Sequence, residues 1–203
     1  MQIITFVPSL GSRAAAAGAL KPNFTQAVPL SLYVHIPWCV RKCPYCDFNS
    51  HAAPEQLPEN ELVDALLQDL TLALPGIWGR RVETIFFGGG TPSLLSPAAI
   101  DRLITGFRTL LPLSPNAEIT LEANPSSVEA ARFADLARAG VNRISLGLQA
   151  LDDEALGFLG RAHDVREGLS ALAVAQDNFA RVSFDLIYAR PHQTMEAWSA
   201  ELN

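Results

Sequence analysis

Five apolar runs of strand length alternate with segments of helical periodicity, and this alternation leaves few folds open to the chain. The runs cover residues 30–36, 82–87, 118–123, 143–148 and 182–188, and each is rich in Ile, Val, Leu, Phe or Tyr. Strands that alternate with helices in this way form βα units around a parallel sheet. We therefore expect an α/β fold, either an open doubly wound sheet or a barrel.

Helix signals fill the segments between these runs. In one segment apolar residues recur three and four positions apart, and Ser96 followed by Pro97 predicts its first turn. Ser126 and Glu129 have the spacing of a capping box, and Gly140 is placed to end the same helix. The apolar helical positions are Leu62, Ala65, Leu66 and Leu70, with Pro75 and Gly76 predicted to break that helix; Ile100, Leu103, Ile104, Phe107 and Leu111; and Val165, Leu169, Leu172 and Ala173, after Asp164 and Glu167.

The residues suited to chemistry lie at the carboxyl ends of the predicted strands. CVRKCPYC follows the first strand and GGGTP the second. Glu122 and Asn124 mark the third, Gln149 the fourth, and Asp185 lies within the fifth. Because parallel α/β folds build their sites at this edge, we expect these residues to share one site.

Cys39, Cys43 and Cys46 are the three cysteines of the chain. An odd number of thiols cannot pair completely in disulfides. Three thiolates would leave one iron of a [4Fe-4S] cluster open to an outside ligand. The alternatives are a zinc site completed by His35 or His51 and three thiols buried in a core. Only one CxxC pair is present, and the intervening residues are polar and turn-forming, which favours the cluster.

The other strand-end residues also have structural alternatives. Three glycines in GGGTP let a ligand approach the backbone, but a tight turn without a ligand would use the same residues. Glu122 lies on an apolar strand, and an unpaired buried carboxylate is costly, so a ligand hydroxyl or amino group would satisfy it. Gln149 and Arg161 are equally compatible with the surface or with helix capping.

Composition narrows the class of protein and its location. The chain has 203 residues, 49% of them hydrophobic and 18% charged, as in an ordinary globular protein. A net charge of −6 argues against a nucleic-acid partner. No apolar stretch approaches the roughly 20 residues of a membrane span, and exposed thiols suit a reducing compartment. We expect a cytoplasmic protein that is not integral to a membrane, and association with a membrane surface stays open.

The two ends of the chain are expected to differ from its middle. Residues 1–29 have an apolar start but no basic region before it, so we expect a poorly ordered extension and not a signal peptide. The last residues have the pattern of an unfinished helix. We therefore expect residues 30–203 to be an incomplete core whose C-terminal part is missing.

The ordered motifs together resemble the radical S-adenosylmethionine (radical SAM) superfamily. YVHIPWCVRKCPYCDFNSH, FFGGGTPSLL, LEANP, RISLGLQALDDEAL, GRAH and FDLIYARP are similar to the branch of oxygen-independent coproporphyrinogen III oxidases and HemW-type heme chaperones. The resemblance covers the chain from about residue 30 onward. It implies a partial (β/α)6 TIM-like barrel, truncated after about five βα units.

The resemblance also implies the cofactors and their ligands. Cys39, Cys43 and Cys46 would ligate a [4Fe-4S] cluster, and S-adenosylmethionine would chelate the fourth iron through its amino and carboxylate groups. One electron would then give methionine and a 5′-deoxyadenosyl radical. The pocket residues implied by the family pattern are Tyr33, Tyr45, Phe48, Gly89, Gly90, Thr91, Glu122, Gln149, Arg161 and Asp185.

Phe48 separates the two members of this branch, because the oxidase typically carries a further cysteine there. The resemblance therefore favours a heme chaperone, which carries heme to respiratory apoproteins and takes electrons from a donor such as flavodoxin or ferredoxin. The rival is an oxygen-independent coproporphyrinogen III oxidase (dehydrogenase) of porphyrin biosynthesis, and a third hypothesis is a noncatalytic iron–sulfur scaffold. No catalytic residue is assigned, and enzyme activity stays open.

Heme requires an axial ligand, and the chain contains four histidines. They are His35, His51, His163 and His192. None is singled out by the sequence. His192 lies in PHQT, where the family usually has glycine in a matching PGQT turn, so the geometry of that turn is in question.

Overall fold

A computed structural model describes residues 28–77 and 79–203. The extension predicted over residues 1–29 therefore lies almost entirely outside the described residues. The elements, in chain order, are β1 (Leu30–Ile36), β2 (Trp38–Cys39), β3 (His51–Ala52), α1 (Glu59–Ile77), β4 (Val82–Gly89), a 3-10 turn (Pro92–Leu94), α2 (Pro97–Leu110), β5 (Leu113–Ala123), α3 (Ser127–Ala130), α4 (Phe133–Arg138), β6 (Arg143–Gln149), α5 (Asp153–Phe158), α6 (Val165–Asn178), β7 (Arg181–Leu186) and α7 (Met195–Glu201).

The five long strands form one parallel sheet in the order β1-β4-β5-β6-β7. Each strand lies beside the long strand that precedes it along the chain, so the order never reverses. A doubly wound sheet reverses its strand order at a switch point, whereas a barrel wall does not. The predicted α/β class and partial TIM-like barrel are confirmed.

Helix α2 shows how the core fixes the strands that carry the site. The Ser96 hydroxyl accepts a hydrogen bond from the Ala99 N–H at 3.1 Å, which caps the helix as predicted. The rings of Phe107 in α2 and Phe87 in β4 pack with their centroids 6.3 Å apart. This contact holds the end of β4 in place. The buried face of α2 consists of Ala99, Ile100, Leu103, Ile104 and Phe107.

The predicted end of the first helix is wrong. Helix α1 continues through Pro75 and ends at Ile77. Proline removes one intrahelical hydrogen bond, and this loss matters little at Pro75 because only two helical residues follow it. No helix within residues 28–77 and 79–203 is long and apolar enough to cross a membrane.

The helix predicted after Ser126 is divided into α3 and α4. The division falls next to Arg132, whose guanidinium donates hydrogen bonds to the Ser93 and Leu95 carbonyls at 3.2 and 2.6 Å. Gly140 has a φ of +109°, the left-handed conformation expected where this helix ends. The strands agree with prediction within two residues, except that β5 begins at Leu113 and not at residue 118.

Candidate cofactor site

The cysteine loop, residues 39–50, leaves the carboxyl end of the first strand and is closed at its base by two short strands. Trp38 pairs with His51, and Cys39 pairs with Ala52. Cys39 is buried, whereas Cys43 and Cys46 are half-buried. The base of the loop therefore presents all three thiols on the strand-end side of the sheet.

The glycine turn, residues 88–90, lies directly beside the base of the cysteine loop. The Gly90 N–H donates to the Ile36 carbonyl at 2.7 Å. A Cβ at Gly90 would stand 2.5 Å from the Trp38 carbonyl oxygen. Gly89 has a φ of +112°, and a Cβ there would meet the His35 ring at 2.6 Å. The protein's own close packing therefore requires both glycines, as the tight-turn alternative proposed.

One cavity brings together most of the predicted site residues. Tyr33 lies outside its lining, with its hydroxyl 3.0 Å from Nδ1 of His35. Arg41, Ser145 and Gly147 line the cavity although the sequence did not single them out. Alternation along β6 places Ser145 and Gly147 on the same face as Gln149, and this signal could have found them. The predicted residues in the lining are Cys39, Cys43, Tyr45, Cys46, Phe48, Gly89, Gly90, Thr91, Glu122, Gln149, Arg161 and Asp185.

Glu122 places a half-buried carboxylate in this cavity. It accepts a hydrogen bond from the Gly89 N–H at 3.2 Å. Burial raises the pKa of Glu122; the Gly89 bond and His35 oppose the rise, and the neighbouring Asp185 carboxylate adds to it. A ligand that is cationic or donates hydrogen bonds would favour the ionised form. Glu122 therefore stays a predicted partner for a ligand hydroxyl or amino group.

Arg161 brings a fixed positive charge into the same cavity. Its Nη2 donates to Asn124 Oδ1 at 2.7 Å and to the Gly147 carbonyl at 2.9 Å. Its Nη1 lies 3.3 Å from Cys43 Sγ. Its Nε is buried and has no hydrogen-bond partner among the residues that the structure describes. The guanidinium is thus held against the cysteine loop with one donor that these residues leave unsatisfied.

Glu129 does not form the reciprocal capping box that its spacing predicts. Ser126 does cap the helix, since its hydroxyl accepts the Glu129 N–H at 3.2 Å. The Glu129 carboxylate turns inward and accepts hydrogen bonds from the Ser93 hydroxyl and from the Asn124 N–H, the latter at 2.8 Å. Burial raises the pKa of Glu129, and these bonds and Arg132 oppose that rise. The sequence contains no signal that separates this role from capping.

The four histidines differ in their surroundings. Both ring nitrogens of His35 have hydrogen-bond partners. His163 is buried, its Nε2 lies 3.2 Å from the Leu148 carbonyl, and burial lowers its pKa. His51 and His192 are exposed. His192 has a φ of +64°, a backbone conformation that residues other than glycine rarely adopt.

The family follows from this sheet and from a match over most of the chain. Residues 33–202 match the family described as the Radical SAM superfamily. The chain belongs to this superfamily. Among radical SAM relatives, the heme chaperone HemW of Escherichia coli (strain K12) is 53% identical over 169 residues, which cover 83% of this chain and 45% of that protein.

Two further radical SAM proteins extend the comparison. The radical S-adenosyl methionine domain-containing protein 1, mitochondrial, of Bos taurus is 44% identical over 175 residues, which cover 85% of this chain and 39% of the relative. The solved structure of coproporphyrinogen III oxidase (HemN) from Escherichia coli, a radical SAM enzyme, superposes with a TM-score of 0.76 at 35% identity. The match covers 86% of this chain and 40% of HemN. The chain thus spans less than half the length of these relatives.

The cavity residues fit the [4Fe-4S] cluster and S-adenosylmethionine that the radical SAM family implies. Within residues 28–77 and 79–203, no three His, Cys, Asp or Glu side chains are grouped to hold a single metal ion. In a [4Fe-4S] cluster each thiolate binds a different iron, so three thiols lining one cavity suit it without converging on one point. Arg161 lines the cavity with a guanidinium that suits a carboxylate, and Glu122 suits an amino group.

Proposed function

We propose that this chain is the part of a heme chaperone that binds a [4Fe-4S] cluster and S-adenosylmethionine. Cys39, Cys43 and Cys46 ligate the cluster in this proposal, supported by their common place in the lining of one cavity. When bound, the two cofactors supply the one-electron cleavage of a sulfonium, which is chemistry of the cofactors themselves. The protein's task is to bind, orient and shield them.

Three side chains perform most of that task. Arg161 pairs with the carboxylate of the methionine moiety, because its guanidinium lines the cavity and is fixed 3.3 Å from Cys43 Sγ. Glu122 receives the amino group or a ribose hydroxyl. Burial raises the pKa of Tyr45 to about 12, an effect that Arg161 partly opposes, so this phenol in the cavity lining stays neutral and can donate a hydrogen bond.

Phe48 is the observation that favours a chaperone over an oxidase. Its ring lines the cavity two residues after the third cysteine, and the chain contains no fourth cysteine. The curated relatives named HemW point the same way. In this proposal heme is cargo that passes to respiratory apoproteins, and an electron donor such as flavodoxin or ferredoxin reduces the cluster.

The structural likeness to HemN favours one alternative function. It is the oxygen-independent oxidation of coproporphyrinogen III in porphyrin biosynthesis. That reaction needs a site for a substrate with four propionates, and Arg41 and Arg161 are the cationic side chains in the described lining.

His51 and His192 are the heme-ligand candidates that this chain offers. Both are exposed, whereas His35 and His163 use ring nitrogens in hydrogen bonds within the fold. Loss of the heme absorbance shift in His51→Ala or in His192→Ala would identify the ligand. His163→Ala serves as the control that should retain the shift.

The deciding experiment uses the full-length protein after anaerobic cluster reconstitution. One sample is titrated with heme and followed by absorbance. A parallel sample receives coproporphyrinogen III, S-adenosylmethionine and a reductant, and decarboxylation is followed. We expect stoichiometric heme binding without decarboxylation, and decarboxylation at a catalytic rate would establish the alternative.

A further inference from the structure

A chain of side-chain hydrogen bonds runs behind the cavity from Glu129 to Arg161. The Asn124 side-chain amide lies between them. Its Nδ2 donates to Glu129 Oε1 at 3.3 Å and to Thr91 Oγ1 at 3.2 Å. Its Oδ1 accepts from Arg161 Nη2 at 2.7 Å. Arg161 in turn reaches Cys43 Sγ, so the chain ends at the cysteine loop.

The chemistry of the two ends allows only one orientation of this amide. Both Glu129 oxygens accept hydrogen bonds, Oε2 from Ser93 and the Asn124 N–H and Oε1 from Asn124 Nδ2, and a guanidinium only donates them. Asn124 must therefore turn its Nδ2 toward Glu129 and its Oδ1 toward Arg161. An amide rotated by half a turn would place oxygen against the Glu129 carboxylate and nitrogen against the guanidinium, and both contacts would repel.

The Glu129 end of the chain is firmly anchored. Glu129 is 6% exposed, and its carboxylate also accepts from the Ser93 hydroxyl and the Asn124 N–H. Arg132 holds the same segment, because its guanidinium donates to the Ser93 and Leu95 carbonyls. A buried carboxylate stabilises a fold only when its acceptor sites are filled, and here several are. The position that Glu129 imposes on Asn124 is therefore well defined.

We propose that Glu129 is a positioning residue that sets the place of Arg161. It acts through Asn124, whose orientation it fixes, so that the guanidinium stands between Cys43 Sγ and the Gly147 carbonyl and faces the carboxylate of the cofactor. Glu129 does not itself line the cavity. This inference rests on the proposed function, since that function assigns the cofactor carboxylate to Arg161.

The first test replaces Glu129 by glutamine, which keeps the shape but can also donate hydrogen bonds. The glutamine has one acceptor oxygen where the carboxylate has two, so it cannot accept from the Ser93 hydroxyl and the Asn124 N–H and also from Asn124 Nδ2. Asn124 then loses one of the two ends that fix its orientation, and Arg161 is the end that remains. In the full-length reconstituted protein we expect the dissociation constant of S-adenosylmethionine, measured by equilibrium dialysis without reductant, to rise about tenfold, as for other residues that orient a ligand-binding group. Iron per chain should stay at the wild-type value, because Glu129 does not contact a cysteine.

Glu118→Gln is the matched control. Glu118 lies on β5, where its carboxylate pairs with Arg143 and Arg181, and like Glu129 it does not line the cavity. The control should bind S-adenosylmethionine as tightly as the wild type.

A second variant exchanges the polarity of the hydrogen bonds. In Glu129→Gln combined with Asn124→Asp, the new carboxylate accepts from both the glutamine amide and Arg161, so an acceptor faces the guanidinium again. We expect the dissociation constant to return to within about threefold of the wild-type value. A residue with a merely structural role would show no such rescue. If the single variant does not fold, the double variant alone decides between rescue and a tenfold loss.

The outcomes separate this inference from the function on which it rests. Wild-type affinity in Glu129→Gln, or a double variant that binds no better than the single one, would overturn the positioning role while the cofactor assignment stands. A wild-type protein that takes up neither iron nor S-adenosylmethionine would overturn the proposed function, and this inference with it.

Discussion

The cysteine loop and the polar network meet at the same cavity but are held in different ways. The polar network consists of Thr91, Ser93, Asn124, Glu129 and Arg161, and each member has a hydrogen-bond partner. Three of these residues are almost fully buried: Thr91 is 5% exposed, Ser93 1% and Glu129 6%. In the loop, Val40 is 71% and Phe48 56% exposed. The protein's own hydrogen bonds thus fix the cofactor-orienting side of the site, and we expect cluster binding to stabilise the exposed loop.

The largest effect should come from removing a thiol. Cys43→Ala in the loop should reduce the iron content from about four per chain to near zero, because three thiolates are the minimum that hold the cluster. The free energy of unfolding of the apoprotein should change by less than about 1 kcal/mol, because Cys43 is only half-buried. Iron assay and urea denaturation measure the two quantities. Iron retained in this variant would remove the basis for the cluster.

For Glu129 the same comparison predicts a large loss of stability. Glu129→Ala leaves the Ser93 hydroxyl and the Asn124 N–H buried without an acceptor, so the free energy of unfolding of the apoprotein should fall by about 3 kcal/mol. Urea denaturation tests this value. Glu118→Ala is the control and should cost less than about 1 kcal/mol, because its ion pairs are partly exposed. Equal losses in both variants would mean that the network contributes no more to the free energy of unfolding than the partly exposed ion pairs of Glu118.

Affinity for S-adenosylmethionine should depend on pH through Glu122. Burial raises its pKa, so the free protein keeps a proton there above the usual range, and a cationic ligand must displace that proton. Binding should weaken as pH falls through this raised pKa, by up to about tenfold per unit. Equilibrium dialysis over a pH series measures it. Glu122→Gln should bind S-adenosylmethionine less tightly and should lose this part of the pH dependence. If the variant keeps the pH profile of the wild type, Glu122 is not the titrating group.

The smallest effect concerns the turn that carries His192. Its left-handed backbone is strained for histidine, so His192→Gly should raise the free energy of unfolding by about 0.5 kcal/mol, after the greater entropy loss of glycine is included. His51→Gly, where the backbone is not left-handed, should lower it. Thermal or urea denaturation of the two apoprotein variants measures both changes. A change of the same sign in the free energy of unfolding of both variants would contradict this account.

Local patterns predicted much of this fold. The apolar runs predicted the five long strands, and Ser96 and Ser126 act as the helix caps that their positions indicate. Placement at strand ends predicted the cavity lining, because parallel strands bring their carboxyl ends to one edge. The predicted helix break at Pro75 is wrong, because a proline in the final turn destabilises a helix less than one in its middle.

Contacts between distant segments explain the rest. Gly90 is needed because the Trp38 carbonyl lies where its Cβ would be, and a ligand is not required to account for it. Glu129 belongs to the site because Ser93 and Asn124 meet its carboxylate, although its spacing from Ser126 fits capping equally well. Such roles depend on which strands become neighbours, and a single sequence carries no local signal for them.

The most direct test of the central claim is electron paramagnetic resonance of the full-length protein, reconstituted anaerobically and reduced, before and after S-adenosylmethionine is added. If the three cysteines leave one iron open in a cavity that orients the cofactor, the signal of the reduced cluster should change on addition, and Arg161→Leu should need a much higher concentration for the same change. A cluster signal that S-adenosylmethionine does not alter at any concentration would contradict the account.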